Sequence, residues 1–461
     1  MSRKLRRRAV IKSIGAAGVI GLAGCTSDGG DGGDGGDGGD GGDSGDGGDT
    51  PMDGGTEEGH HDDGGGEEGH HDDGGDTGGD SMRTARVGIL MPTSGDLADL
   101  GQLIQQGGVL AAEQLKGADI PIGIDYQTED SQTSPSAGVS AAQALVNAGY
   151  PGIMGPASSG VNIAVSKQVY IPNQVVGCSP SSTSPNVTTL QDNDFIFRTA
   201  PSDALQGQVL AQIAAERVEA SEASTLFVNN DYGQALSQSF ADAFKNQGGS
   251  IQAKVAFEKQ QTSYSSVLSE ALSNNPGTLV VIGYPQSGQT IFRDFYSSYS
   301  DDDFTLLLTD GLAEDSLPDN VGNDLSNVLG STPKASGPAR SAFDQMYQDS
   351  YDQSPGVFNA HAYDAVATLL LANAWAGENS GPAVRDSMRT VANPDGKEIT
   401  AENLPEGIRM AVNNEAINYS GASSSVNFDQ NGDMKAVTYG VWEFGDSGVT
   451  TIDSVNFGGS N

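Results

Sequence analysis

The chain has 461 residues, with 61 Asp and Glu against 23 Lys and Arg, and a formal net charge of −38 at pH 7. So acidic a protein is excluded from holding nucleic acid or an anionic membrane face through a basic patch. Its two cysteines, Cys25 and Cys178, exclude a disulfide-stapled scaffold and a four-cysteine zinc site.

The first 25 residues read as an export address. Arg6-Arg7-Arg8 precede Ala9-Val10-Ile11-Lys12, an order that resembles a twin-arginine signal. The apolar run Ile14–Leu22 is too short to span a bilayer. Leu22-Ala23-Gly24-Cys25 has the form of a lipobox, in which the Cys25 thiol is lipidated and the chain is cut before it. Residues 26–82 contain 24 Gly, 19 acidic residues and no Lys or Arg. With almost nothing apolar to bury and like charges repelling, this stretch is expected to be a disordered, extended tether. His60-His61 and His70-His71 lie beside carboxylates in a block that repeats after ten residues. Such clusters can hold transition metals. A floppy site must be ordered on binding, however, so a spacer is the simpler reading and no metal site is expected.

Residues 83–461 form the globular body, with 42 acidic and 17 basic residues and a net charge of −25. Screening at molar salt shortens the Debye length to ~3 Å. The charge is therefore read as halophilic adaptation, with melting expected to fall in dilute salt. Arg86–Met91 reads as a strand ended by Pro92-Thr93-Ser94-Gly95, followed by a helical pattern through Leu97, Leu100, Ile104, Val109 and Leu115. Further strands are expected from Ile122, at Ile153-Met154, Val175-Val176, Thr225–Val228, Ile251–Phe257, Leu279–Ile282 and Phe304–Leu308. Helices are expected between them at Ser134–Val146, Ala204–Val218, Tyr232–Gln247, Val267–Leu272 and Ile291–Tyr299. This alternation argues for α/β layers with mostly parallel sheets, in which ligands bind at the carboxyl ends of strands.

Those strand ends carry the informative residues: Gly155-Pro156-Ala157-Ser158-Ser159-Gly160, Ser179-Pro180-Ser181-Ser182-Thr183-Ser184-Pro185, Asn229-Asn230-Asp231-Tyr232-Gly233, Gly283-Tyr284-Pro285-Gln286 and Thr309-Asp310-Gly311. Each alone is an ordinary turn. Together they line up hydroxyl and aromatic chemistry at five successive strand ends. With Val87–Gly95, Phe197-Arg198-Thr199, Ala362–Val366 and Phe428–Asp433, they make residues 83–461 resemble the branched-chain amino acid-binding proteins of ABC importers, the leucine/isoleucine/valine-binding class.

The resemblance implies an α/β protein of two Rossmann-like lobes around a ligand cleft, joined by three crossovers, the type I periplasmic binding protein fold. The crossovers are expected near 198–204, 330–337 and 429–436. Lobe 1 would span about 83–200 and 335–430, and lobe 2 about 201–334 and 431–461. It also implies that Ser158, Ser159, Ser182 and Thr183 hold a ligand α-carboxylate. Tyr232 and Tyr284 would close over the ligand from the other lobe, and Asp310 would receive the α-ammonium. Asp310 stands where leucine-binding relatives usually carry Glu, and Leu100 where some place an aromatic.

Other features have plainer readings. Asp429-Gln-Asn431-Gly-Asp433 begins like a calcium loop, but Gly440 stands where the bidentate Glu belongs, so Asn431-Gly432 is read as a turn. Trp375 is expected in the core, Cys178 as a small buried apolar residue, and His361 either at the cleft mouth or at an ordinary helix position. There is no hydrolase, zincin or P-loop signature. The expected function is a lipid-anchored, non-enzymatic receptor on the extracellular face of the cytoplasmic membrane. It would need no cofactor, bind a small amino acid and deliver it to an ABC permease with its ATPase subunits. The alternative is a ligand sensor or an amide- or urea-binding protein of the same fold.

Overall fold

The computed structural model describes residues 82–393, 396–445 and 448–458. The twin-arginine stretch, Cys25 and the histidine-bearing tether as far as Ser81 lie outside the described residues. Two parallel sheets organise the body. The first contains β1 (Thr84–Met91), β2 (Gly123–Asp130), β3 (Gly152–Met154), β4 (Val176–Ser179) and β5 (Ile196–Arg198), in the order β2-β1-β3-β4-β5. The second contains β6 (Glu222–Val228), β7 (Ser250–Phe257), β8 (Thr278–Ile282), β9 (Thr305–Leu308) and β10 (Val328–Pro333), in the order β7-β6-β8-β9-β10. The two orders are the same pattern built twice. A small ladder pairs β11 (Lys397–Ile399) with β12 (Ile417–Tyr419). The antiparallel hairpin of β13 (Val437–Gly445) and β14 (Gly448–Phe457) extends the second sheet beyond β10.

The apolar runs become strands because both sheet faces are covered. In β1 and β3, Ile89, Met91 and Met154 face the main core, while their neighbours Leu90 and Ile153 pack in a second cluster with Leu145 and Val161. The helix Asn359–Ala376 is buried over most of its length and packs on β1, β3 and β4, beside the helix Ala98–Lys116. The chain leaves the first sheet after β5 and builds the second. It returns after β10 to lay this helix and its neighbours on the first sheet, then crosses again to add β13 and β14.

All eight strand expectations correspond to strands. β5 and β10 to β14 were not anticipated. β5 is three residues long, β10 contains Gly330 and ends on Pro333, and β14 carries Thr, Asp and Ser on an exposed edge. Their apolar stretches are short, Phe195-Ile196-Phe197 in and before β5, Val328-Leu329 in β10 and Val441-Trp442 in β13, and polar or glycine residues interrupt them. Cys178 is fully buried in β4, where desolvation pushes its thiol well up. Trp375 is only half-buried, near the end of its helix. Asp429 closes a turn by accepting the N–H groups of Asn431 (2.7 Å) and Asp433 (3.0 Å), and Gly432 supplies its positive φ of 75°.

Candidate functional site

In both sheets the carboxyl ends of the strands face one cleft, as open parallel sheets require at the point where strand order reverses. From the first sheet come Leu97, Leu100 and Ile104 after β1, Ala157, Ser158 and Ser159 after β3, and Ser181 after β4. From the second come Tyr232 after β6, Tyr284 after β8 and Asp310 with Gly311 after β9; Phe358 completes the wall.

Local chemistry places each group. Gly155 has a φ of 107°, and a Cβ there would meet the Leu90 carbonyl oxygen at 2.1 Å, so only glycine allows the sharp exit from β3 that presents Ser158. The Asn230 side chain caps the helix Asp231–Asn246 by accepting from the Gly233 N–H (3.0 Å), which sets Tyr232 in the first turn. Gly311 packs against the Gly283 carbonyl, where a Cβ would come within 2.2 Å, and so seats Asp310 beside the end of β8. Phe358 sits at a φ of 68°, uncommon for a bulky residue, just before its helix.

Tyr232 and Tyr284 stack with centroids 5.7 Å apart and planes 11° from parallel. The Tyr232 hydroxyl donates to Asp310 Oδ1 (3.2 Å) and shares a hydrogen bond with Thr309 (2.8 Å). Burial pushes the Asp310 carboxyl up to about 6, partly opposed by hydrogen bonds from Gln206 and Tyr232. The Tyr284 hydroxyl accepts from Asn230 Nδ2 (3.0 Å) and bonds Ser158 Oγ across the cleft (3.1 Å). Ser159 Oγ accepts from the Ser184 N–H (3.2 Å), which leaves its proton free to donate.

The cleft is closed. Ser287 Oγ reaches both oxygens of Asp96 (2.9 Å each), Lys259 Nζ donates to the Thr133 carbonyl (2.8 Å) and Ser184 Oγ to the Asp231 carbonyl (3.3 Å). Each of these joins one sheet's loops to the other's.

Of the residues singled out in the sequence, Ser158, Ser159, Tyr232, Tyr284 and Asp310 come together around the cavity. Ser182 and Thr183 do not line it. Ser182 Oγ accepts from Asn162 (3.1 Å), and Thr183 Oγ1 donates to Asp203 Oδ2 (2.9 Å). The next-door Ser181 takes the place at the wall, because the Ser182 N–H is drawn back onto Ser179 Oγ (3.0 Å). Leu97, Ile104 and Phe358 also line the cavity and were not anticipated there. The first two are helix-period apolar residues, indistinguishable in a sequence from core. His361 is 4% exposed within its helix, edge-on to Phe358, and burial pushes its imidazole down to about 3.

The cavity is thus lined by serine hydroxyls from the first sheet, a buried carboxylate and phenols from the second, and the apolar side chains of Leu97, Leu100, Ile104 and Phe358. A family model described as periplasmic binding protein matches residues 84–403. The chain belongs to that family. A chemotactic signal transduction system substrate-binding protein of Halobacterium salinarum is 26% identical over 81% of this chain and 90% of its own length. Two solved structures share the fold. A leucine-binding protein of Thermotoga maritima (23% identity; TM-score 0.68) is matched over 80% of this chain and 98% of that one. A branched-chain amino acid transporter substrate-binding protein of Streptococcus pneumoniae, in complex with isoleucine, has 21% identity and a TM-score of 0.67 over 81% and 100%. No described helix is long and apolar enough to cross a membrane.

Proposed function

We propose that this periplasmic binding protein is the extracytoplasmic receptor of an ABC importer, that it captures an aliphatic amino acid of the branched-chain type, and that it acts as a binder and not a catalyst. The observation that supports this reading is that Ser158, Ser159 and Ser181 from the first sheet and Asp310 from the second line one cavity together with Leu97, Leu100, Ile104 and Phe358. A zwitterion satisfies both ends at once: its carboxylate takes the serine hydroxyls, its ammonium the Asp310 carboxylate, and its side chain the aliphatic wall. A ligand without an ammonium leaves a buried carboxylate unpaired, which is costly. The lobes are proposed to divide the body at the three crossovers, so that binding closes them and the closed rim is what the permease reads. Lipid on Cys25 would hold the receptor at the outer face of the membrane, at the end of the 26–82 tether.

The experiment is a thermal-shift screen in molar KCl with L-leucine, L-isoleucine, L-valine, L-alanine, acetamide, urea and benzoate. Stabilisation by the aliphatic amino acids supports the reading; stabilisation only by acetamide, urea or benzoate overturns it. The Halobacterium relative favours a second reading, in which the same closed form docks on a chemotactic transducer. Deleting the permease would then leave amino acid taxis intact.

A further inference from the structure

Ser158 stands at the cap position of the helix Ser159–Val165, yet its hydroxyl makes no capping bond. Among the described residues its one side-chain partner is the Tyr284 hydroxyl, 3.1 Å away on a loop of the other sheet. Either oxygen could be the donor in that bond, and the choice decides what Ser158 offers the cavity.

Asn230 makes the choice. The Gly233 N–H can only donate, so the oxygen of the Asn230 amide is the atom that faces it (3.0 Å). The amide nitrogen is then the atom turned to the Tyr284 hydroxyl (3.0 Å), and it too can only donate. Tyr284 is buried, which pushes its phenol up and keeps the single proton on it. With a donor already on the phenol oxygen, the acceptor left for that proton among the described residues is Ser158 Oγ. A buried hydroxyl that finds no acceptor is costly, so the phenol donates to Ser158. The Ser158 proton is thereby turned out of this bond and into the cavity, which Ser158 lines. Ser159 is set in the same way, since its Oγ accepts from the Ser184 N–H (3.2 Å) and also lines the cavity. Two adjacent hydroxyls thus accept from the protein and keep their protons for what the cavity holds.

We propose that Asn230, which does not itself line the cavity, is a positioning residue that fixes the direction of the Asn230–Tyr284–Ser158 relay and so makes Ser158 a hydrogen-bond donor to a ligand carboxylate. The relay joins loops of the two sheets, so it is complete only when the cleft is closed. It rests on the proposed receptor reading, but it needs only a carboxylate in the ligand and no ammonium.

Asn230→Asp tests it. Asp caps a helix as well as Asn does, but it puts an acceptor where the amide nitrogen stood. The Tyr284 proton should swing to it, the Ser158 proton should follow to Tyr284, and the ligand carboxylate should then face a lone pair. Calorimetry in molar KCl with L-leucine and, in parallel, benzoate should show affinity falling by about tenfold or more, the effect of losing a hydrogen bond to a charged group. The new charge also repels a carboxylate, so the substitution is repeated in Tyr284→Phe, which has no phenol proton to redirect. There the charge acts alone, and most of the loss should vanish. Asn230→Ser, which also caps but carries no amide, should show a smaller loss with the same dependence on Tyr284, and covers the case of Asn230→Asp failing to fold. Equal losses in both backgrounds, or none in either Asn230 variant, overturn the relay and leave the receptor reading in place. Loss of all binding in Tyr284→Phe alone would put the phenol on the ligand and overturn it too. If benzoate binds the wild type and L-leucine does not, the amino acid reading fails and the relay is judged on benzoate. If neither carboxylate binds, the relay has no acceptor to serve and falls.

Discussion

Arg198 and Asp433, 235 residues apart, form a two-pronged ion pair, Nε to Oδ1 at 2.6 Å and Nη2 to Oδ2 at 2.9 Å, with the arginine side chain wholly out of water. The remaining guanidinium N–H groups donate to the Ser182 (3.2 Å) and Ser184 (3.0 Å) carbonyls, and Nη2 also to Thr188 Oγ1 (2.7 Å). One side chain thus ties the end of β5 and the last crossover to the serine loop that places Ser181 at the cavity wall. Arg198→Lys keeps the charge but loses the fork. Removing one partner of a buried pair costs about 3–5 kcal/mol. Arg198→Ala should therefore shift urea unfolding by that much, and Arg198→Lys by less, with weaker ligand binding in both. An unchanged midpoint for Arg198→Ala would mean that the pair is dispensable.

Asp310→Ala should weaken L-leucine binding by about 30-fold or more, since losing one partner of a desolvated charge pair costs roughly 2–5 kcal/mol and each ~1.4 kcal/mol is tenfold. Tyr232→Phe keeps the stack on Tyr284 and loses only the hydroxyl contact, so it should cost less. Titration calorimetry ranks the two; near-native affinity in Asp310→Ala would point to a ligand without an ammonium.

The Ser287–Asp96 contact lies away from the ligand and exists only between the lobes. Ser287→Ala should speed ligand release while leaving association unchanged. One such hydrogen bond contributes about 0.5–1.5 kcal/mol, or roughly two- to tenfold in the off-rate. Stopped-flow kinetics read this directly, and an unaltered off-rate would remove the contact from the closing interaction.

Four buried carboxyl groups are held above their ordinary range by loss of water: Asp96, Asp203, Asp310 at about 6, and Asp364, also at about 6. Asp364 remains high although it accepts from Tyr419, the Ala422 and Ser423 N–H groups and the Ser423 hydroxyl. A folded state that holds protons more tightly than the unfolded chain is stabilised by acid. This contribution is complete below about pH 4, where the unfolded groups protonate, and is lost as the pH rises through about 6. The unliganded body in molar KCl should therefore resist urea better at pH 5 than at pH 7, and the Asp203→Asn, Asp310→Asn double variant should show a shallower slope. Equal midpoints in the wild type would argue against raised carboxyls.

Cys25→Ser should send the folded receptor into the medium, because acyl chains on that sulfur are what would retain it. Fractionation after signal removal decides the matter. Retention in the membrane would end the lipoprotein reading.

The parts of the fold legible in the sequence were those written as apolar runs between turns, because burial of both sheet faces demands them. β14 escaped, since an edge strand can stay mostly exposed, and β13 because Gly440 and Thr438 interrupt its apolar residues. At the site, the hydroxyl-rich and aromatic strand ends were visible because turn chemistry is local. The shift from Ser182 to Ser181 was not, because it depends on a hydrogen bond to Ser179 that no spacing reveals. Asp203 looked like the start of a helix, which it is.

The three passages between the sheets mean that neither lobe is a continuous length of polypeptide. The first sheet waits for the helices of residues 340–412 to cover it, and the second is not finished until Phe457 pairs with Val437. A nascent chain emerging from the ribosome can therefore bury neither half completely until residue 457 is made. Such late completion suits a passenger that is folded in the cytoplasm and exported whole, and it leaves a truncated product with both halves of the cleft unfinished.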